Sequence, residues 1–395
     1  MNLKQSPAHM KNGFWKVFFY EWQILVRSPK KLFLCLGLPL LIFFFFGQLF
    51  QAGTPHSFKT ALIDYDQTPT SRQIVRALQS TPEIDFSAQP SDEFEAKKWL
   101  QRGNIYALIV IPQGVQKNLL GGQQSEIQCY TNGQFLLPAG NIQKAFSTTV
   151  AMVSAGIDIE KRKKKGLEDH WARTEVQPIK LDLHNLYNPY SNYGYYLITP
   201  FLPFMLEMLV VIMSIYIIAT PLKYGFAKQW LRMSGENSWA ALWGKLLPYT
   251  LVFCLVGWFM NFYLFRVIGT PLQVPMWNVF LMTFVLILTH QFVAVFFVSI
   301  AKDMRTALTF GGGFCALCFS FGAYTFPIEG LPKFIQDISN IFPYTHFIKY
   351  FVVRAIKGIP MDYALPNLMA LGAYFVLFLC AYPLFVKKLN RGSYE

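Results

Sequence analysis

The stretch LFLCLGLPLLIFFFFGQLF, residues 32–50, decides the fold class of this chain. Its only strongly polar side chain is Gln48, and a membrane-spanning helix takes roughly 20 apolar residues. The leader of 31 residues before it is too long for a cleaved signal peptide, and so is the apolar run itself. We therefore interpret residues 32–50 as a retained first transmembrane helix.

Residues 51–196 are mostly polar, and further apolar runs fill residues 197–395. The predicted second to sixth spans are 197–219, 246–268, 277–301, 306–326 and 368–386. Six crossings place both termini on one side of the membrane. The basic tail KKLNRGSYE predicts that this side is the cytoplasm. The expected fold is an α-helical membrane protein with six transmembrane helices, plus an extracytoplasmic α/β domain inserted after the first helix.

The distribution of charge supports this topology. The chain carries a net charge of +13, yet residues 51–196 hold 15 basic and 14 acidic residues. Most of the excess lies in the leader 1–31, the loop 220–245, the turn 302–305 and the C-terminal tail. Basic residues in short loops on one side follow the positive-inside rule, so the charge does not predict a nucleic-acid partner. The lipid bilayer is the expected surroundings.

Two segments outside the spans are apolar but not built to cross a bilayer. Within 1–31, Phe14, Val17, Phe18, Glu21 and Trp22 recur at helical spacing, which predicts an amphipathic helix at the cytoplasmic surface that ends before Pro29. Residues 331–357 are interrupted by prolines and charges. They are expected to form external, re-entrant short helices covered by protein.

The polar region 51–196 alternates strand and helix signals. Residues 58–64, 105–111 and 125–131 read as strands, and Thr70 with Gln73 reads as a capping box that opens a helix. Further helices are expected at 92–101, from Pro112, and at 139–165, the last as a stalk that returns to the membrane. Alternating units of this kind predict an α/β domain.

The chain lacks the residues of a nucleotide-hydrolysing site. No GxxxxGK[ST] motif exists, because Trp239 stands where the first glycine before Gly244-Lys245 would be. No catalytic triad or metal-ligand spacing is evident. Cys315 and Cys318 are spaced as CxxC, but their apolar surroundings favour helix packing over redox or metal chemistry. We expect no cofactor, no metal and no catalytic residue in this chain.

At this point the sequence resembles the permease subunits of ABC-2 type exporters, in the branch with a large external domain after the first span. The resemblance covers essentially the whole chain and rests on the order of several segments. They are YEWQILVRSPKKLFLCLGLPLLIFFFFG (20–47), ALIDYDQTPTSRQIVRAL (61–78), ALIVIPQGVQKNLLGGQQSEIQCYTNG (107–133), YNPYSNYGYYLITPFL (187–202), LWGKLLPY (242–249) and FPIEGLPKFIQDISNIFPYTHFIKYFVVRAIKG (326–358).

The resemblance implies a dimer of permeases, from two copies or from two paralogues, working with a separate ABC ATPase that binds ATP and Mg²⁺. It also implies a bacterial inner-membrane location, amphiphilic or drug-like cargo, and a periplasmic adaptor as a further partner. The leader and the loop 220–245 would meet the ATPase. Where that loop is often acidic in the family, this chain has TPLKYGFAKQWLRMSG (220–235). The implied coupling residues are Glu21, Arg27, Lys223, Gly225, Lys228 and Arg232.

Glu207 and His290 lie inside predicted spans, where an ionisable group is costly unless it has a partner or water. They could face cargo or relay protons, or they could simply bond two helices; we favour the second interpretation. Gly311, Gly312 and Gly313 would permit close helix approach along a translocation path. Two rival classes remain. One is an ion-coupled secondary transporter, and the other is a non-transporting envelope receptor or adhesion protein.

Overall fold

The computed structural model describes residues 13–50, 53–177, 184–322, 324 and 326–394. The chain forms two compact units. One is a helical unit made of the chain up to Gly53 and from Asn185 onward, and the other is the inserted unit Thr54–His184. The predicted insertion, 51–196, begins three residues earlier and ends 12 residues later than this unit.

The helical unit begins with the predicted amphipathic helix, α1 (Phe14–Arg27). Val17, Glu21 and Leu25 recur every four residues and are buried, whereas the opposite side exposes aromatic side chains such as Trp15 and Phe19. The helix ends at Ser28, where the hydroxyl accepts the backbone N–H of Lys31 and Pro29 begins the next helix. Residues 1–12 of the predicted leader 1–31 lie outside the described residues.

Among the described residues, five helices are long and apolar enough to cross a membrane. They are α2 (Pro29–Leu49), α8 (Tyr193–Lys223), α10 (Ser238–Val267), α11 (Met276–Ile300) and α15 (Met361–Arg391). The predicted fifth span corresponds to α12 (Met304–Ser320), which has 17 residues and lies at the short end of the range for a crossing. Six crossings therefore stay a prediction.

Shorter helices connect these long ones. The predicted coupling loop contains α9 (Ala227–Met233), and the predicted re-entrant segment forms two short helices, α13 (Lys333–Ser339) and α14 (Pro343–Phe351). A core of buried apolar side chains joins α8, α10, α11, α14 and α15. The structure thus has a pair of short helices in 331–357, and their re-entrant position in the membrane stays a prediction.

The inserted unit contains a four-stranded sheet of order β2-β1-β3-β4. Its strands are β1 (Phe58–Asp64), β2 (Ile84–Ala88), β3 (Ala107–Ile111) and β4 (Gln128–Thr131). β1 pairs in parallel with β2 and β3, and β4 runs antiparallel to β3. Its helices are α3 (Pro69–Gln79), α4 (Glu93–Arg102), α5 (Val115–Leu120), α6 (Leu136–Lys164) and α7 (Asp169–Val176). The central strand β3 is fully buried because apolar clusters cover both of its faces.

The capping box predicted at Thr70 and Gln73 is wrong by two residues. Thr68 is the N-cap of α3, and its hydroxyl and that of Ser71 accept each other's backbone N–H groups. Pro69 occupies the first helical position, where its missing N–H costs nothing.

The Asp66 carboxyl lies close to this capping box. Burial opposes its ionisation, but hydrogen bonds from Thr68, Gln116 and Gly114 hold the pKa of Asp66 below its usual value. This carboxylate joins the ends of β1 and β3.

Candidate functional site

A buried ion pair fixes the amphipathic helix α1 to the long helix α10. The Lys245 ammonium contacts one carboxylate oxygen of Glu21, and the two side chains are 9% and 4% exposed. The Tyr249 hydroxyl lies 3.4 Å from the other carboxylate oxygen, and Lys31 Nζ lies 3.5 Å from that hydroxyl. Both carboxylate oxygens of Glu21 therefore contact side chains of α10, and those two side chains lie one helical turn apart.

Glycine makes this close approach possible. A Cβ on Gly244 would lie 2.9 Å from the carbonyl oxygen of Phe14 and 2.9 Å from Cβ of Val17. Any side chain at 244 would therefore push α1 away from α10. Gly244 and Lys245 therefore serve helix packing and ion pairing, respectively, and are not part of a phosphate-binding loop.

The short helix α9 joins the same contact. The Trp230 indole N–H donates to the Ala241 carbonyl at 3.0 Å, and the Lys245 ammonium lies 5.2 Å from the centre of the Trp230 ring. The Gly13 N–H donates to the Met233 carbonyl at 3.1 Å. We call α1, α9 and the first turns of α10 the α1–α9–α10 assembly. These contacts hold the leader and the loop 220–245 together.

The structure separates the predicted coupling residues into two kinds. Glu21 is buried within the α1–α9–α10 assembly and stabilises it from inside. The other five are exposed: Arg27, Lys223, Gly225, Lys228 and Arg232. Gly225 has a φ of 75°, in the left-handed region, so that the chain can turn sharply between α8 and α9.

The second predicted pair, Glu207 and His290, also meets in the structure. Glu207 Oε1 on α8 lies 3.1 Å from His290 Nε2 on α11, and both side chains are fully buried. His290 Nδ1 lies 2.8 Å from the Leu286 carbonyl, an acceptor only, so Nδ1 carries a proton. The contact brings α8 and α11 together; the interpretation that the pair serves only to bond two helices stays a prediction.

Other polar side chains surround this pair. The thiols of Cys315 and Cys318 on α12 and the hydroxyl of Tyr344 on α14 lie near Glu207. The Tyr344 hydroxyl donates to the Pro200 carbonyl. Within the described part of the chain, no three His, Cys, Asp or Glu side chains are grouped to hold a metal ion. These polar side chains meet where α8, α11, α12 and α14 pack together.

The three glycines of α12 differ in their surroundings. A Cβ on Gly311 would lie 2.4 Å from Cδ1 of Ile215 on α8, and one on Gly312 would lie 3.9 Å from Ile212. A Cβ on Gly313 would meet nothing within 4 Å. Only Gly311 is needed for the packing of α12 against α8 within one chain.

This difference predicts that two matched substitutions in α12 will differ in their effect on stability. Gly311→Leu should lower the free energy of unfolding by about 1–3 kcal/mol, because the new side chain overlaps Ile215. Gly313→Leu should leave the unfolding temperature unchanged, since the side chain points into open space. Thermal unfolding of both variants of the full chain checks this. Equal destabilisation by the two substitutions would contradict the packing described here.

Sequence reasoning missed Gly244, Lys245 and Tyr249 as site residues. A signal was present, because Lys245 is the only charged residue between Glu236 and Arg266, in the middle of an apolar run. A lysine in such a place needs an acid partner. The partner could not be chosen from the sequence, since Glu21 lies 224 residues away.

Long apolar helices around a buried core, with ion pairs that join them, define a multi-pass membrane protein. Residues 30–382 match the family described as ABC-2 family transporter protein. The chain therefore belongs to the ABC-2 transporter family, as a membrane-spanning permease. It is also similar to the linearmycin resistance permease protein LnrN of Bacillus subtilis (strain 168), with 23% identity over 347 residues, which cover 82% of this chain and 86% of LnrN.

Proposed function

We propose that this chain is the permease of an ATP-driven exporter that moves an amphiphilic or drug-like substrate outward across the bacterial inner membrane. A separate ABC ATPase would bind ATP and Mg²⁺ and supply the energy. The main support for this proposal is the α1–α9–α10 assembly, in which a buried ion pair holds together the two segments expected to meet the ATPase. The name of the Bacillus relative, a resistance permease, supports the export of a toxic compound.

In this proposal the assembly transmits force as a unit. Closure of the ATPase on ATP would press on the exposed cations Arg27, Lys228 and Arg232. Because Glu21 and Lys245 join α1 to α10, the push reaches a long helix directly rather than being absorbed by a mobile leader. From α10 it passes to the neighbouring long helices of the same packed core.

The proposed path runs along α8 and α12, which pack together at Gly311. At the end of α12, the ring of Phe319 lies 4.5 Å, centre to centre, from the ring of Phe204 on α8. We propose that this aromatic contact closes the outer end and separates during export. Six crossings, cytoplasmic termini and an extracytoplasmic position for 54–184 belong to the same proposal, as does docking of a periplasmic adaptor on that unit.

Copurification tests the central claim. The tagged chain, expressed with the proteins encoded beside it, should retain an ATPase subunit and hydrolyse ATP. Hydrolysis should vanish when the phosphate-binding lysine of that subunit is replaced. A preparation that never retains an ATP-hydrolysing subunit, or a permease that hydrolyses ATP unaided, would contradict the proposal.

The proposed dimer has its own test. Gly313 is open in the single chain, so a second permease copy could pack against it. Two differently tagged copies should copurify, and Gly313→Leu should reduce that recovery while the separated single chains unfold at the same temperature as wild type. Unchanged recovery would place the contact between copies elsewhere.

A further inference from the structure

A cleft of about 400 Å³ lies between the end of α8 and the beginning of α12. It is lined by Lys223, Met304, Arg305, Leu308 and Thr309. Two cations, two apolar side chains and one hydroxyl therefore share one concave surface. The cleft lies at the end of α8 that leads into the coupling loop, where the proposed path would begin on the cytoplasmic side.

The positive charge of this cleft is only partly offset by a neighbouring acid. Among the residues that the structure describes, neither Lys223 nor Arg305 forms an ion pair within 4 Å. Asp303 accepts the Thr306 N–H at 2.7 Å as the N-cap of α12 and interacts electrostatically with Arg305, so that one negative charge stands beside two cations. Lys223 Nζ lies 5.1 Å from the centre of the Tyr224 ring, a contact that leaves its charge in place.

The surface beyond the cleft is apolar. Tyr216 lies seven residues before Lys223 on α8, and Phe319 lies fourteen residues after Arg305 on α12, so each shares a helix face with its cleft residue. Both side chains are 36% exposed. Gly313 lies one turn after Thr309, and a Cβ there would meet nothing within 4 Å. A charged head in the cleft could therefore continue into an apolar tail on these side chains.

The geometry points to a binding site for the anionic head group, a phosphate or carboxylate, of the exported amphiphile. This inference rests on the proposed function and adds the charge of its substrate. Guanidinium binds phosphate and carboxylate through paired N–H groups, and an ammonium adds a point charge. Met304 and Leu308 beside the cations match the first carbons of the tail. An acidic surface of the ATPase is the competing occupant, and the test separates the two.

Binding of tetradecyl phosphate to the full chain tests the inference. The permease is placed in phosphatidylcholine nanodiscs, and radiolabelled ligand is titrated with tetradecanol as the uncharged probe. The double variant Lys223→Gln/Arg305→Gln should bind tetradecyl phosphate about tenfold more weakly, since each exposed ion pair contributes up to about fivefold. Tetradecanol binding should not change. Lys223→Arg/Arg305→Lys should retain tight phosphate binding, and Lys302→Gln, a nearby exposed lysine outside the cleft, should behave as wild type.

Three outcomes would overturn the inference. The first is equal phosphate binding by wild type and the double Gln variant. The second is displacement of the alkyl phosphate by phosphatidylglycerol added to the nanodiscs, which would assign the cleft to a bilayer lipid. The third is unchanged ligand binding with loss of ATPase copurification, which would assign the cations to the ATPase. ATPase retention is measured separately, so failure of the head-group site and failure of the exporter proposal remain distinguishable.

Discussion

Lys245→Met should destabilise the helical unit by about 3–5 kcal/mol, because it leaves the Glu21 carboxylate buried without its cation. A loss of that size corresponds to a fall of the apparent unfolding temperature on the order of 10 °C. Export should be lost as well, since α1 would no longer be held against α10. Thermal unfolding of the purified full chain, together with transport by the complete complex, provides the measurement.

Two further variants separate the ion pair from general packing. Glu21→Met/Lys245→Met removes both charges and should recover most of the lost stability, since a buried pair and an apolar pair of similar volume are often equivalent. Lys387→Met removes an exposed lysine from the same unit and should change nothing. If the single and double variants unfolded at the same temperature, the ion pair would not be the cause.

His290→Leu should cost about 1–3 kcal/mol, because the buried Glu207 loses its partner in α11. Glu207→Gln should cost less than 1 kcal/mol, since a side-chain amide of nearly the same shape can keep the contact with His290 Nε2. Denaturant or thermal unfolding of the two variants measures both values.

Glu207→Gln also distinguishes an ATP-driven exporter from an ion-coupled transporter. An ATP-driven exporter with Glu207→Gln should still transport when the proton gradient is collapsed. An ion-coupled transporter would lose transport with either change, because Glu207 would be its proton-carrying group. A stability loss of 3–5 kcal/mol for Glu207→Gln would contradict the expectation that the amide keeps the contact with His290.

The sequence predicted the long helices and the amphipathic leader well, for a physical reason. Spans carry long apolar runs, and the Pro29 ring prevents α1 from continuing unbroken into α2. Strand β2 (Ile84–Ala88) was missed because IDFSA has polar residues and only one β-branched residue, so its place in the sheet depends on pairing with β1. Helix α7 was missed because it is short and mostly polar.

Prediction of the site was limited by distance along the chain. Glu21 was identified from its place in the leader, but its burial could not be known until Lys245 was placed beside it. The contact between Glu207 and His290 was anticipated, because ionisable groups inside spans are few and each is costly to bury without a polar partner. The three glycines could not be told apart, since their different neighbours depend on the rotation of α12 about its axis.

The separation of Glu21 from Lys245 by 224 residues has a consequence for biosynthesis. At about 5–20 residues per second, the ribosome needs roughly 10–45 s to reach the partner lysine after the leader has emerged. During that interval the acid of α1 has no cation from α10, and the inserted unit Thr54–His184 is synthesised in between. Docking of the leader is therefore a late event, and a nascent chain stalled before residue 245 would present an unmatched carboxylate to the machinery that removes incomplete membrane proteins.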